Sequence, residues 1–114
     1  MKSRNYSLYL DDIRHSCERV IVYTSGMTRD VFLADEKTYD AVLRHLTIIG
    51  EAVKQIPPEI RNVHPSVEWT QIARFRDVVV HHYFGLKEDV IWEIVEAKVP
   101  SLLAALNQQN GKEA

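Results

Sequence analysis

A chain of 114 residues holds one domain with a modest core, and it is too short for two unless each is cross-linked. Hydrophobic residues at 46% and charged residues at 26% give a globular balance, which excludes a disordered chain. The formal charge of -2 weakens a simple basic-surface model of nucleic-acid binding but leaves open a local cationic cleft, because field focusing depends on where charges sit.

Cys17 is the only cysteine, so no intrachain disulfide or cysteine-rich metal framework can form. It lies inside a helical pattern and reads as a small buried hydrophobe. The opening MKSRNYSLYLDD lacks the apolar run of a secretory signal, and no segment approaches about 18 uninterrupted apolar residues. A soluble, cytoplasmic protein with no membrane association is expected.

From Tyr6 to Thr24, Tyr6, Leu10, Ile13, Cys17, Val20 and Ile21 recur at helical spacing, and Ser25 and Gly26 end the pattern. Met27 to Asp35 reads as a linker anchored by Phe32 and Leu33. A second helix starts near Asp35 or Glu36, carries Tyr39, Val42, Leu43, Leu46, Ile49, Val53 and Ile56, and stops at Pro57 and Pro58. Gly50, in its middle, costs about 1 kcal/mol against alanine unless a close helix–helix approach compensates.

Glu59 to Pro65 is expected as a turn or helical turn. A third helix opens near Ser66, places Trp69, Ile72, Phe75 and Val79 on one face, and ends at Gly85 as a left-handed C′ residue. The fourth carries Val90, Ile91, Ile94 and Val95, and Pro100 breaks the chain before a last helix with Leu102, Leu103 and Leu106. Asn107 to Ala114 is left as a frayed tail. The short run Val78 to Val80 has strand propensity but sits inside a longer helical period, so an all-α bundle of four or five antiparallel helices is expected over residues 1–114.

The third helix ends in RDVVVHHY, which gathers Arg76, Asp77, His81, His82 and Tyr83. Arginine grips phosphate bidentately, and histidine exchanges a proton near neutrality. The pair suits phosphodiester cleavage, with Arg76 stabilising phosphoryl charge and His81 moving a proton. If the ribose 2′-hydroxyl is the nucleophile, RNA is the substrate and neither metal nor cofactor is needed. On an ideal helix Arg76 and Tyr83 share a face, whereas His81 lies about 140° from Arg76. One site then needs a shared edge, a distorted helix end or a second chain. The plainer reading is a solvated Arg76–Asp77 pair, a histidine pair split between surface and core, and a packing tyrosine. Two adjacent histidines without carboxylate or cysteine partners make a poor zinc site. His15, His45 and His64 are scattered and receive no catalytic role, although His15 and Glu18 could line the same cleft.

Arg76, His81 and Tyr83 match the Arg-x4-His-x-Tyr motif of the HepT-like toxins, a branch of the HEPN superfamily of helical ribonucleases. Around it, Tyr9 to Ile13 resembles the family's opening helix, and Ile49, Gly50, Glu51 and Ala52 its second-helix signature. His64, Pro65 and Trp69 resemble the lead into the motif helix, and His81 to Gly85 and Val90 to Trp92 complete the likeness, from about Tyr6 to Leu106. Asp77 departs from the family's usual asparagine and adds negative charge where phosphate approaches.

The resemblance implies a HEPN-type bundle that is homodimeric, with motif helices meeting across the two-fold axis. Val79, Val80 and Phe84 would then serve the seam. It further implies the toxin component of a type VII toxin–antitoxin system. That toxin is a metal-independent endoribonuclease with Arg76 and His81 catalytic and Asp77 and His82 supporting. A cognate MntA-like minimal nucleotidyltransferase antitoxin would silence it by AMPylation of Tyr83. The alternative is a catalytically weak nucleotide-binding or regulatory subunit that docks such a nucleotidyltransferase.

Overall fold

Apolar side chains at three- and four-residue intervals fold the first stretch into α1 (Lys2–Thr24), with Leu10, Ile13, Cys17 and Val20 buried along one stripe. The computed structural model describes the backbone of residues 2–82 and 88–113 and the side chains of residues 6–81 and 88–107. The side chain of His82, and Tyr83, Phe84 and Gly85 entirely, lie outside the described residues. Thr24 donates its hydroxyl to the Val20 carbonyl at 2.8 Å, and Gly26, at φ +76°, turns the chain away. Cys17 is fully buried, and desolvation with Glu18 nearby pushes its thiol up to about 12, so it packs as an inert hydrophobe.

The expected linker after Gly26 is itself partly helical. α2 (Arg29–Ala34) starts where Thr28 accepts a hydrogen bond from the Val31 N–H, and it buries Phe32 between the rings of Tyr39 and Trp92, at 5.1 and 5.4 Å. Leu33 is only half-buried. Arg29 pairs with Asp89, tying α2 to the far end of the chain.

Asp35 caps α3 (Glu36–Val53) by accepting from the Thr38 N–H at 3.1 Å, and that hydrogen bond holds its carboxyl below the ordinary aspartate range. α3 ends a turn before the prolines, and Ile56 is buried in the turn that follows. Pro58 instead opens α4 (Pro58–Arg61), where its missing N–H costs nothing. From α4, Arg61 donates to the Ile56 and Val53 carbonyls, both at 3.0 Å, satisfying groups left over at the end of α3. Trp69 then donates to the Arg61 and His64 carbonyls at 3.1 and 3.2 Å, which fastens the next helix to this turn. His64 is accordingly buried.

The third predicted helix is two. α5 (Trp69–Ala73) closes at Arg74, whose N–H turns back to the Gln71 carbonyl, and α6 (Phe75–His82) begins at the next residue. Trp69, Ile72, Phe75 and Val79 are buried as the periodicity requires, so the break leaves the apolar stripe intact.

α7 (Glu88–Glu93) runs without interruption into a π-helical turn (Ile94–Lys98) and then α8 (Val99–Glu113). The predicted break at Pro100 is this widened turn. Proline clashes with the carbonyl four residues back, and the i−5 bonding of the preceding turn, with the Val99 N–H on the Ile94 carbonyl, makes room for it. Ile91, Ile94, Val95, Val99, Leu102 and Leu106 are buried from this long helix, while Val90 and Leu103 are half-buried. Its backbone continues through the stretch predicted to fray, as far as Glu113. No strand occurs among the described residues.

α3 is the central element, packed on α1 along one side and on α5 and α6 along another. Both neighbours run antiparallel to it. Tyr23 lies by His45 and Tyr9 by Gln55 on the α1 side, while Arg76 lies by Gly50 and Val79 by Leu43 and Thr47 on the α6 side.

Gly50 is where the sequence expectation of a close approach is met. A Cβ built on it would stand 2.8 Å from the Arg76 backbone nitrogen and 3.5 Å from the Ala73 carbonyl, so α3 fits against the α5–α6 junction only without a side chain. Gly50→Ala is expected to destabilise the fold by about 1–3 kcal/mol despite its better helix propensity, because backbone and not a flexible side chain must yield. Thermal denaturation of the variant measures this, and a rise in Tm would show that the junction relaxes freely.

Candidate active site

The described side chains of α6 divide cleanly by exposure. Phe75 and Val79 are buried and Val78 is half-buried, whereas Arg76, Asp77, Val80 and His81 face solvent. At about 100° per residue these four span one arc, in the angular order Arg76, Val80, Asp77, His81. Arg76 and His81 stand at its two edges, about 7.5 Å apart along the helix axis. The structure therefore puts the predicted pair on one open surface, but at the opposite margins that the spacing anticipated. Val79, predicted for both core and seam, is taken by the core, and Val80 is the apolar residue left at the surface.

Arg76 has a partner that sequence reasoning did not assign. Its Nε lies 3.1 Å from Glu51 Oε2, while the Asp77 carboxylate is more distant at 3.9 Å. Glu51 is also 3.6 Å from Lys54. Glu51 follows the glycine that brings α3 against Arg76, a register set by the packing of the two helices. With both side chains about half exposed, this pair contributes roughly 0–1 kcal/mol, so the carboxylate holds the guanidinium only weakly. Gly50 and Glu51 thus act in sequence, the first fixing the Arg76 backbone and the second its guanidinium.

The histidines that looked scattered are partly assembled. His15 and His45 approach with ring centroids 6.4 Å apart, and His45 Nδ1 shares a 3.0 Å hydrogen bond with the hydroxyl of Ser16, a fully buried residue. They lie in a groove between α1 and α3, lined also by Asp12, Arg19, Tyr23 and Arg44. His15 does line a cleft, though a neighbouring one, and Glu18 is exposed outside it. Among the described residues, no three His, Cys, Asp or Glu side chains come together as a metal site, and no helix is long and apolar enough to cross a membrane.

Residues 13–108 match the family model described as Ribonuclease HepT-like. The chain belongs to the HepT-like family. A Methanocaldococcus jannaschii protein bearing an RNase name is 45% identical over 101 residues, covering 89% of this chain and 84% of that one. A Thermococcus cleftensis protein bearing the name ribonuclease HepT is 41% identical over 99 residues, covering 87% and 90%. A third RNase-named relative, from Caldanaerobacter subterraneus subsp. tengcongensis, is 40% identical over 94 residues, covering 82% and 84%. No solved structure gives a significant match. The helical fold and the exposed α6 arc are thus those of a chain aligned with its HepT-like relatives over most of its length.

Burial and the neighbouring positive charge of His15, Arg44 and Arg19 lower the pKa of His45. The neutral imidazole is therefore favoured in the folded HepT-like chain, and the unfolded chain takes up a proton first, near pH ~6.5. Stability is expected to be complete above that pH and to decline as pH falls below it. Urea unfolding between about pH 7.5 and 5.5 should show a falling midpoint, and His45→Gln should flatten the decline.

Proposed function

We propose that this HepT-like chain is a metal-independent endoribonuclease, and the toxin component of a type VII toxin–antitoxin pair. The observation that carries the reading is the exposed arc of α6, with a guanidinium at one margin and an imidazole at the other, in a chain aligned with ribonuclease-named relatives over most of its length. Arg76 binds a non-bridging phosphoryl oxygen and neutralises charge as it builds. The 2′-hydroxyl attacks phosphorus, the bond to the 5′-oxygen breaks, and His81 moves the proton between the attacking and leaving oxygens. The products are a 2′,3′-cyclic phosphate and a 5′-hydroxyl.

The separation of Arg76 and His81 across the arc gives the proposed dimer its chemical purpose. Two copies of α6 meeting across a two-fold axis place the Arg76 margin of one beside the His81 margin of the other, forming composite sites. Val80, exposed between the two residues, supplies apolar contact at such a seam. Regulation falls to Tyr83, seven residues from Arg76 in the sequence. An MntA-like nucleotidyltransferase would transfer AMP from ATP to its hydroxyl with release of pyrophosphate, and the added phosphate would compete with RNA for Arg76.

Arg76 is flanked by two carboxylates, Glu51 and Asp77, and this favours the second reading, a catalytically weak subunit that docks the nucleotidyltransferase and holds nucleotide in the same cleft.

Purified protein is expected to cleave RNA in EDTA, leaving cyclic phosphate ends. Arg76→Ala and His81→Ala should each lower the rate at least ~100-fold with unchanged circular dichroism. Cleavage abolished by EDTA, or unaltered in His81→Ala, overturns the mechanism, and a stable nucleotidyltransferase complex without any cleavage establishes the second reading. Intact mass after co-expression with an MntA-like nucleotidyltransferase should rise by one or more AMP units, and Tyr83→Phe should abolish the gain.

A further inference from the structure

The groove between α1 and α3 holds cationic and aromatic side chains that the α6 chemistry does not use. Arg19 and Arg44 both line it, and unlike Arg14, Arg29 and Arg76 neither has a carboxylate partner among the described residues. The Arg19 guanidinium lies 5.8 Å from the centre of the Tyr23 ring, Tyr23 lies 5.8 Å from the His45 ring, and His45 meets His15. Two unneutralised guanidiniums interleaved with an exposed tyrosine and two imidazoles match what single-stranded nucleic acid requires, charge for phosphates and flat rings for bases. Asp12 is the one acid lining this part, at the end away from Tyr23. The cleft, of about 540 Å³, is within the range of small-ligand sites.

Its position connects it to α6. Arg44 also lines the neighbouring cleft with Asp40 and with Val79 of α6, so one side chain borders both surfaces. Arg44 and Glu51, the partner of Arg76, are seven residues apart on α3, about 10 Å along the axis. An RNA backbone held at the Arg76 margin would have about that distance to cover to reach Arg44.

We propose that the α1–α3 groove is a phosphate-binding track for single-stranded RNA flanking the cleavage position, with Arg19 and Arg44 as its cations and Tyr23 as a stacking surface. The proposal rests on the ribonuclease reading of α6 and adds to it where the rest of the strand lies. The track explains how a chain of net charge -2 holds a polyanion, since the arginines needed are those that internal carboxylates leave free.

The test is fluorescence anisotropy with a short labelled single-stranded RNA carrying 2′-O-methyl groups, which cannot be cut by 2′-hydroxyl attack, titrated at several salt concentrations. Arg19→Ala with Arg44→Ala should bind roughly tenfold more weakly, and the slope of log K against log salt should shrink by about 1.4, as for two lost phosphate contacts. Arg19→Lys with Arg44→Lys, which keeps both charges, should restore most of the slope and guards against a folding defect. Unchanged affinity and slope in the alanine pair overturn the track. So does an alanine pair that elutes at a different oligomeric size from the wild type, since the groove would then be a protein interface. Groove-dependent binding by wild-type protein that cleaves no RNA would sink the catalytic reading and leave the track standing. Cleavage by wild-type protein with an unchanged slope in the alanine pair would do the reverse.

Discussion

The approach of α3 to the α5–α6 junction at Gly50 is the constraint on which the rest depends. With a hydrogen in place of a side chain, the two backbones come close enough that the next residue, Glu51, reaches the guanidinium of Arg76. The same contact aligns α6 antiparallel to α3, which buries Val79 and turns Asp77, Val80 and His81 outward. A helix of eight residues has little stability of its own, so the direction of its exposed face is set by the packing against its inner one.

The turn at the end of α3 serves the same geometry from the other side. Arg61 satisfies carbonyls left by α3, and Trp69 fastens α5 to that turn through its indole N–H. Each bond is worth only about 1 kcal/mol net, but an unsatisfied buried partner would cost more, so the connection has one favourable arrangement. Past the break at Arg74 the chain continues into α6. Arg76 and His81 are exposed on α6, and Trp69, Phe75 and Val79, which hold α5 and α6 in place, are buried.

Charge is distributed by pairing more than by number. Arg14, Arg29 and Arg76 each have a carboxylate beside them, and Arg61 is committed to backbone carbonyls. The positive potential left over is concentrated where arginines lack such partners, and on the face shared by α1, α3 and α6 these are Arg19 and Arg44. In a slightly acidic chain these two arginines face the groove without an ion-pair partner among the described residues, with Asp12 in the same groove and Asp40 in the adjoining cleft. Glu51 is a weak hold on Arg76, because both side chains are about half exposed.

The sequence by itself determined the all-α class, the buried stripes of α1 and α3, the core faces of Trp69, Ile72, Phe75 and Val79, and the polar run on α6. Each of these follows from side-chain period and hydrophobicity, which are local properties. The close approach at Gly50 was also legible, because a glycine in a helix interior demands a packing reason. Only the tertiary structure decided that α2 is a helix, that the third helix breaks at Arg74, and that Pro100 is accommodated by a π-helical turn. Short segments have too little intrinsic preference to choose, and their conformation is set by what they pack on. The pairing of Arg76 with Glu51 and the meeting of His15 with His45 were likewise beyond reach. Which surface residues of two helices come together depends on the angle and register at which their apolar faces lock, and no spacing within either helix encodes it.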